Sequence, residues 1–445
     1  MNGEREIGLA TCGEPGALAP GGKTLAAVEV LHRGLTPPAR PMFAIVIFLF
    51  ALTQAAAGDW PQFLGRDRNG ISKETGLVDT FPRSGPPQVW KKEVGEGFSG
   101  PVVAGERLIL FHRVGNEEVV ECLNAGSGKG VWKFAYPTNY QDQLGKGDGP
   151  RSTPVIAGKN VITLGAEGML HCIDIEKGKK IWARNIIKDY SVPQSYFGVG
   201  TSPLVEGKLV LVNVGGKGAG IVAFALDSGK EIWKATGDGA SYSSPVATTI
   251  AGTRLAVFFT RQGAVILDPL TGKVIFQKRW RARYDASVNA ATPLVIGDRV
   301  FLSASYETGA LLLRLKKDGA DVLWSNDNSM SNHYNTCVHQ DGHLYGIDGR
   351  QERGPSLRCI DLKAGKVMWD EAGFGCANLI LAEGKLIALT EKGDLVLAAA
   401  TPAAYREKAR ARILEDGPCR AQMALANGLL YARDQKTLAC WKLQK

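Results

Sequence analysis

Residues 174–182 read DIEKGKKIW, and this short stretch decides the fold. It joins an apolar run ending at Asp174 to a second run ending at Trp182. The connection is Gly178-Lys179, a turn that glycine permits because positive φ carries no steric cost for it. Copies recur along the chain as NAGSGKGVW to Trp132, ALDSGKEIW to Trp233, DPLTGKVIF to Phe276 and DLKAGKVMW to Trp369, with a degenerate copy ending at Trp324. A further degenerate copy puts Leu414 in the Trp position.

Each copy is preceded by a tighter turn between two apolar runs. These turns fall at Gly105-Glu106, Gly158-Lys159, Gly207-Lys208, Ala251-Gly252, Gly297-Asp298, Asp341-Gly342, Glu383-Gly384 and Asn427-Gly428. Their glycines are 53, 49, 45, 45, 45, 42 and 44 residues apart. Each unit therefore reads as four short strands, the third carrying the Asp and the fourth the Trp. Four-stranded antiparallel units repeating at forty-odd residues are the mark of a β-propeller, with the indoles lying between blades.

The chain ends specify closure. The eighth unit offers strands around residues 422–426, 429–433 and 437–443, but no Trp strand follows. An orphan Trp strand, QVWKKE at residues 88–93, stands ahead of the first turn. Pairing it into the last blade closes the ring and removes two open edges. The expected fold is all-β, an eight-bladed propeller closed by an N-terminal strand. Its segments are a leader over 1–57, an arm with the closing strand over 58–97, and the propeller over 98–445.

The formal net charge is +9, a balance that favours anionic partners without selecting one. Residues 42–52 (MFAIVIFLFAL) form an apolar run preceded by Arg33 and Arg40 and followed by Ala55-Ala56-Ala57, the pattern of a cleaved signal peptide. The run is too short to span a bilayer, which needs ~20 residues. No Cys follows it before Cys122, which argues against a lipoprotein anchor. The expected location is periplasmic or secreted, without a transmembrane span in the mature chain, as a monomer.

Repeats ending in T/S-G-K-x-x-W resemble the pyrroloquinoline-quinone-like (PQQ-like) propeller superfamily, over about Asp59 to Lys445. The resemblance implies one of three roles. PQQ-dependent alcohol dehydrogenases use such a ring to hold a quinone and Ca²⁺, BamB-type envelope lipoproteins use it to dock proteins, and secreted planctomycete and verrucomicrobial relatives share segments like WPQFLGRDRNGIS. The paired adjacent cysteines of the dehydrogenases are missing, and Asn289 and Asp285 are isolated candidates for their calcium ligands. No cofactor is expected; PQQ with Ca²⁺ belongs only to the alternative, an oxidoreductase acting on an alcohol or sugar.

Other chemistry reads as structural. His339 and His343 flank the Asp341-Gly342 turn and point to opposite sides, so no metal site is expected with His333. Cys122, Cys172 and Cys359 precede the Asp/Asn slot by two residues and read as small core side chains, as does Cys440. Cys376 and Cys419, near the first strands of neighbouring blades, are left open between bridge and free thiols. The basic run Lys278–Arg283 reads as a solubilising edge. The remaining candidate is the channel mouth, formed by the loops that lead into the innermost strands. It draws together Arg151, Tyr196, Tyr242, Asn289, His333, Tyr334, Asn335 and Arg420. The ligand expected there is an envelope protein or an anionic or carbohydrate molecule, with no specific nucleic acid.

Overall fold

The computed structural model describes residues 58–193 and 197–445; the leader-like segment and Tyr196 lie outside the described residues. All eight tight turns are two-residue hairpins. Ala104 pairs with Arg107, Ala157 with Asn160, Gln340 with His343 and Ala426 with Leu429. Gly105, Gly158, Gly207 and Gly297 have φ of 55–59° and lead their turns. In the other four, Ala251, Asp341, Glu383 and Asn427 take positive φ ahead of a glycine that also has positive φ. Gly-X and X-Gly are thus the two turn types that suit twisted hairpins, II′ and I′.

The strands assemble into eight four-stranded antiparallel sheets. Blade one comprises Val102–Ala104, Arg107–Val114, Glu117–Asn124 and Gly130–Pro137. Its middle strands are apolar on both faces because a neighbouring blade covers each face, while the outer strand alternates with solvent. The Trp register repeats: Trp132 opposes Cys122, Trp182 opposes Cys172, Trp233 opposes Ala223 and Trp369 opposes Cys359. Small residues face the indoles, which explains the recurrent buried cysteines. Each indole N–H donates to a carbonyl of the next blade, Trp132 to Ile175 at 2.7 Å and Trp182 to Leu226 at 2.9 Å.

Blade seven departs from the expected register. Ala409, not Leu414, occupies the Trp slot, opposite Leu397. The outer strand Glu407–Arg412 keeps the one-residue bulge of the other blades, and that bulge sets the register. Leu414 lies beyond the strand and is buried in the core. The missing aromatic volume is supplied by Val78, Phe81 and Ile413, which pack on the same cluster. Cys376 and Cys419 are buried free thiols, which resolves the open alternative.

Closure follows the expectation. Gln88–Glu93 pairs antiparallel with Thr437–Lys442, and Trp90 opposes Cys440 while its N–H reaches Ala125 of blade one at 2.8 Å. An inner belt of hydrogen bonds also links the blades. Backbone N–H groups donate to the next blade's hydroxyl, Gly100 to Thr153 at 3.1 Å, Thr153 to Ser202 at 2.9 Å and Ser202 to Ser244 at 3.0 Å. The belt continues from Ser244 to Thr292 at 3.3 Å and from Thr292 to Thr336 at 3.0 Å. Its sequence signature is Ser/Thr-Pro at Thr153, Ser202, Ser244 and Thr292.

The first and third turns of every blade lie on one face of the ring, and the loops that lead into the inner strands lie on the other. The N-terminal arm crosses the turn face. Trp60 bridges to Val103, Ile71 to Leu381 and Leu77 to Gln444, spanning blades one, seven and eight. Between these anchors Arg68, 2% exposed, reaches into the axis. It donates to Pro245 O at 2.9 Å, to Ser202 O at 3.5 Å and to Pro203 O, and to Gln62 Oε1 at 2.8 Å. Burial lowers its pKa to about 9. The arm is therefore a plug as well as a tether. Residues 88–445 supply every strand of the ring, and Gln54–Lys445 form one compact unit.

Candidate functional site

The mouth lies opposite the plug. Its lead-in loops contact one another around the ring. The Arg420 and Arg151 guanidiniums each stand 5.5 Å from the centre of the Phe98 ring, and Arg151 is also 5.7 Å from Phe197. Phe197 in turn stacks edge-on against Tyr242 at 5.6 Å and donates its N–H to the Tyr242 hydroxyl at 3.0 Å. The charges are internally matched. Arg151 pairs with the buried Asp142, and Arg420 with Glu391 at 2.7 Å. Tyr334 donates to the same Glu391 at 2.5 Å, and burial, then neighbouring negative charge, holds its phenol well above the usual range.

His333 and Tyr334, expected among the ligand-binding residues of the mouth, are half-buried and hydrogen-bonded to neighbouring loops. His333 Nδ1 is 2.9 Å from Gln351 Oε1, and its Nε2 is 2.9 Å from the Tyr306 hydroxyl. An acceptor on Nδ1 fixes the proton there, so Nε2 accepts from Tyr306. Burial lowers the His333 pKa, which favours this neutral form. Asn335, fully buried, donates to Asn378 at 3.1 Å. The reason for the difference is interblade packing: a lead-in loop is covered by the second turn of its neighbour.

A cavity of about 770 Å³ opens on the mouth face over blades two to five. Of the sequence candidates among the described residues, Tyr242 and Asn289 line it; Arg151, His333, Tyr334, Asn335 and Arg420 do not. The additional lining includes Asn213, Lys188, Glu167, Arg261 and Asp285. Asn213 was legible as the polar break in the apolar run LVLVNVGG. It is buried, donating to Gly220 O at 2.8 Å and accepting the Ser241 N–H at 2.9 Å, and so shapes the floor. Lys188 lies within the short helix Ile186–Tyr190, a segment without any repeat signal. The lining mixes both charges with apolar Val199, Val214 and Val288.

Of the two isolated candidates for calcium ligands, Asn289 donates its amide N–H to Thr260 O at 2.8 Å, while its buried Oδ1 has no hydrogen-bond partner among the described residues. The Asp285 side chain is fully exposed beside Arg281. Among the described residues no three His, Cys, Asp or Glu side chains stand together as a metal would require. Arg68 occupies the axis.

Comparison with known proteins agrees with the architecture. The family described as outer membrane protein assembly factor BamB matches residues 115–371. The outer membrane protein assembly factor BamB of Burkholderia pseudomallei (strain K96243) is 32% identical over 152 residues, 34% of this chain and 33% of that protein. The match thus spans about a third of that relative. Among solved structures, BamB from Moraxella catarrhalis superposes with a TM-score of 0.59 at 14% identity, covering 80% of this chain and 97% of that one. Quinohemoprotein alcohol dehydrogenase from Comamonas testosteroni gives 0.61 at 13% identity, covering 88% and 81%. At such identities the structural likeness shows the fold alone. No helix among the described residues is long and apolar enough to cross a membrane.

Proposed function

The chain belongs to the outer membrane protein assembly factor BamB family, and from that premise we propose that it is a non-catalytic binding scaffold of the cell envelope, periplasmic or secreted. Its partner is an envelope protein that seats a segment in the cavity over blades two to five. The observation that carries this reading is the asymmetry of the ring. The arm with Arg68 seals the turn face, and the large concavity opens on the other face. Lining that offers Lys188 and Arg261 beside Glu167 and Asp285, with valines between, suits a polypeptide's mixed chemistry better than a uniformly anionic ligand. An anionic or carbohydrate ligand is the other occupant the net charge favours.

The test is site-specific photo-crosslinking in living cells. A photoreactive residue at Tyr242 should trap a defined envelope protein. The same probe at Lys316, at the end of the third strand of blade five on the turn face, should not. Trapping of the same protein from both positions, or of none, would reject the cavity as the partner site. The oxidoreductase alternative is tested by adding PQQ, Ca²⁺ and an artificial electron acceptor with alcohols and sugars. No turnover above the protein-free rate is expected; substrate-dependent reduction would replace the scaffold reading.

A further inference from the structure

The turn face carries a charge pattern that neither the closure of the ring nor the cavity uses. In blades one to four and six, the third turn presents Lys129, Lys179, Lys230, Lys273 and Lys366, all exposed. The first turns of blades two and three add Lys159 and Lys208, also exposed. None of these lysines has an ion-pair partner among the described residues.

Several carboxylates of the same face are occupied. Asp174 accepts the N–H groups of Glu176 and Lys177 at 3.0 and 2.7 Å, and Asp361 accepts that of Ala364 at 2.6 Å. Asp268 takes the Leu270 N–H and the Thr271 hydroxyl, both at 2.8 Å. Glu176 is paired with Arg107 at 2.8 Å and Glu206 with Arg254 at 2.6 Å. The capping carboxylates keep their charge, so Asp174, Asp268 and Asp361 count with the exposed Glu106, Asp227, Asp318 and Asp341. Lys177, Lys317 and Lys363 of the same third turns are also exposed and without an ion pair among the described residues. They bring the lysines to ten against those seven carboxylates. The repeat itself produces this outcome. In D-x-x-x-G-K the Asp folds back to cap the turn, and the Lys projects from it.

A second pattern coincides with the first. One or two residues after each of those turn lysines stands an exposed aliphatic side chain on the outer strand. Val131 is 42% exposed, Ile181 47%, Ile232 52%, Val274 38% and Met368 39%. Lysine beside an exposed aliphatic group, repeated around a rim, is the chemistry of the membrane interface, where ammonium groups meet headgroups and alkyl chains meet the acyl boundary.

We infer that the turn face of the propeller docks on an anionic phospholipid surface through this crown of lysines and aliphatic side chains, leaving the cavity face turned away from the membrane. The geometry favours lipid over other polyanions. The lysines are spread over several blades instead of converging on a groove that would follow one polymer. They are point charges without the bidentate arginine forks that read phosphodiesters or uronates in fixed registry. No aromatic side chain stands in these turns to stack a nucleobase.

The experiment uses residues 58–445, whose ring is complete within that range. Binding is read by co-sedimentation with vesicles of phosphatidylcholine alone or mixed with phosphatidylglycerol. The protein should bind only the mixed vesicles and should release as salt is raised. A variant combining Lys129→Glu, Lys179→Glu and Lys230→Glu should lose about a hundredfold or more in affinity, since each lysine near the surface contributes about fivefold. A second variant with the same charge change on the mouth face, Lys146→Glu, Lys217→Glu and Lys392→Glu, should bind as the parent does. Equal binding to both vesicle types would overturn the inference, as would equal loss in the two variants, which would make net charge the cause. Alginate bound through the turn-face lysines, with no vesicle binding, would overturn it in favour of a polymer. Partner trapping at Tyr242 is scored separately, so either result stands without the other.

Discussion

The indole of Trp132 lies against the α-carbon of Gly178 in the next blade, so close that a β-carbon there would fall 2.6 Å from the ring. Gly229 meets Trp182 and Gly272 meets Trp233 in the same way. The Gly and the Trp of the repeat motif therefore serve one contact between two successive blades, not one blade. Gly178 also has a φ of 65°, so it is needed twice over. Gly178→Ala should cost about 1–2 kcal/mol for the left-handed backbone and about 1–3 kcal/mol more for overpacking against the indole. Gly158→Ala is the control, because its φ is 59° with nothing within 4 Å of the added carbon. Urea denaturation of both variants separates the two costs. Equal destabilisation would mean that the indole yields freely and the interblade contact contributes nothing.

His171 is 3% exposed and sits between Phe134 and Tyr136, with ring centroids at 5.1 and 4.3 Å. Burial, helped by Lys180, lowers its pKa to about 4. A folded pKa below the unfolded value of about 6.5 means that the unfolded chain binds the extra proton first. Its contribution is therefore fully present above pH 6.5 and is lost as pH falls toward 4, by about 1.4 kcal/mol per pH unit. His171→Phe keeps the aromatic packing and removes the proton. The variant should outlast the parent by about 2 kcal/mol more at pH 5 than at pH 7. A parent and variant whose stabilities run parallel across that range would show that His171 reaches solvent.

The repeat was legible because each of its signals is local. Asp341-Gly342 predicted the pairing of Gln340 with His343, and that pairing is observed. QVWKKE was legible as the closing strand because a Trp strand was missing at one end and surplus at the other. The plug was not legible, because Arg68 meets Pro203 and Pro245 across more than a hundred residues and carries no periodic mark. Ala409 was missed for a related reason: a slot defined by its Trp loses its signal when the Trp is absent. At the mouth, polar residue types marked the right loops, yet Tyr242 and Asn289 reach the cavity while His333 and Tyr334 are spent on neighbouring blades. Sequence reports that a loop is polar; only packing decides whether its polarity faces a ligand or a partner loop.

His333 therefore carries a different expectation from an exposed loop residue. His333→Ala removes both of its hydrogen bonds and leaves the Tyr306 hydroxyl and Gln351 carbonyl without their partner. Tyr306 is itself held at a φ of 67°, a conformation that the contact helps to fix. The expected loss is about 1–3 kcal/mol at pH 7, read by urea denaturation. A change within about 0.5 kcal/mol, the usual range for surface positions, would return His333 to the solvent.

Arg68 offers the most direct test of the plug. Its guanidinium serves three backbone carbonyls of blades three and four, and no carboxylate within ion-pair distance balances it among the described residues. Arg68→Ala would leave those carbonyls buried without a donor, each costing about 1–3 kcal/mol unless water enters the axis. The expected loss of stability is about 3 kcal/mol, less than a simple sum because the opened channel admits water. Arg68→Lys should recover part of it, since one ammonium can reach some of the carbonyls but not all in the fork geometry. Deleting residues 59–94 should do something different in kind. It removes the plug and also the strand Gln88–Glu93, so the last blade loses its outer edge together with the Trp90 contact to blade one. The truncated chain should unfold in two steps, blade eight before the rest, where Arg68→Ala unfolds in one. Native-state hydrogen exchange would read this as early loss of protection over residues 424–442. If the truncated protein melts as the parent does, neither the closure nor the plug holds the ring.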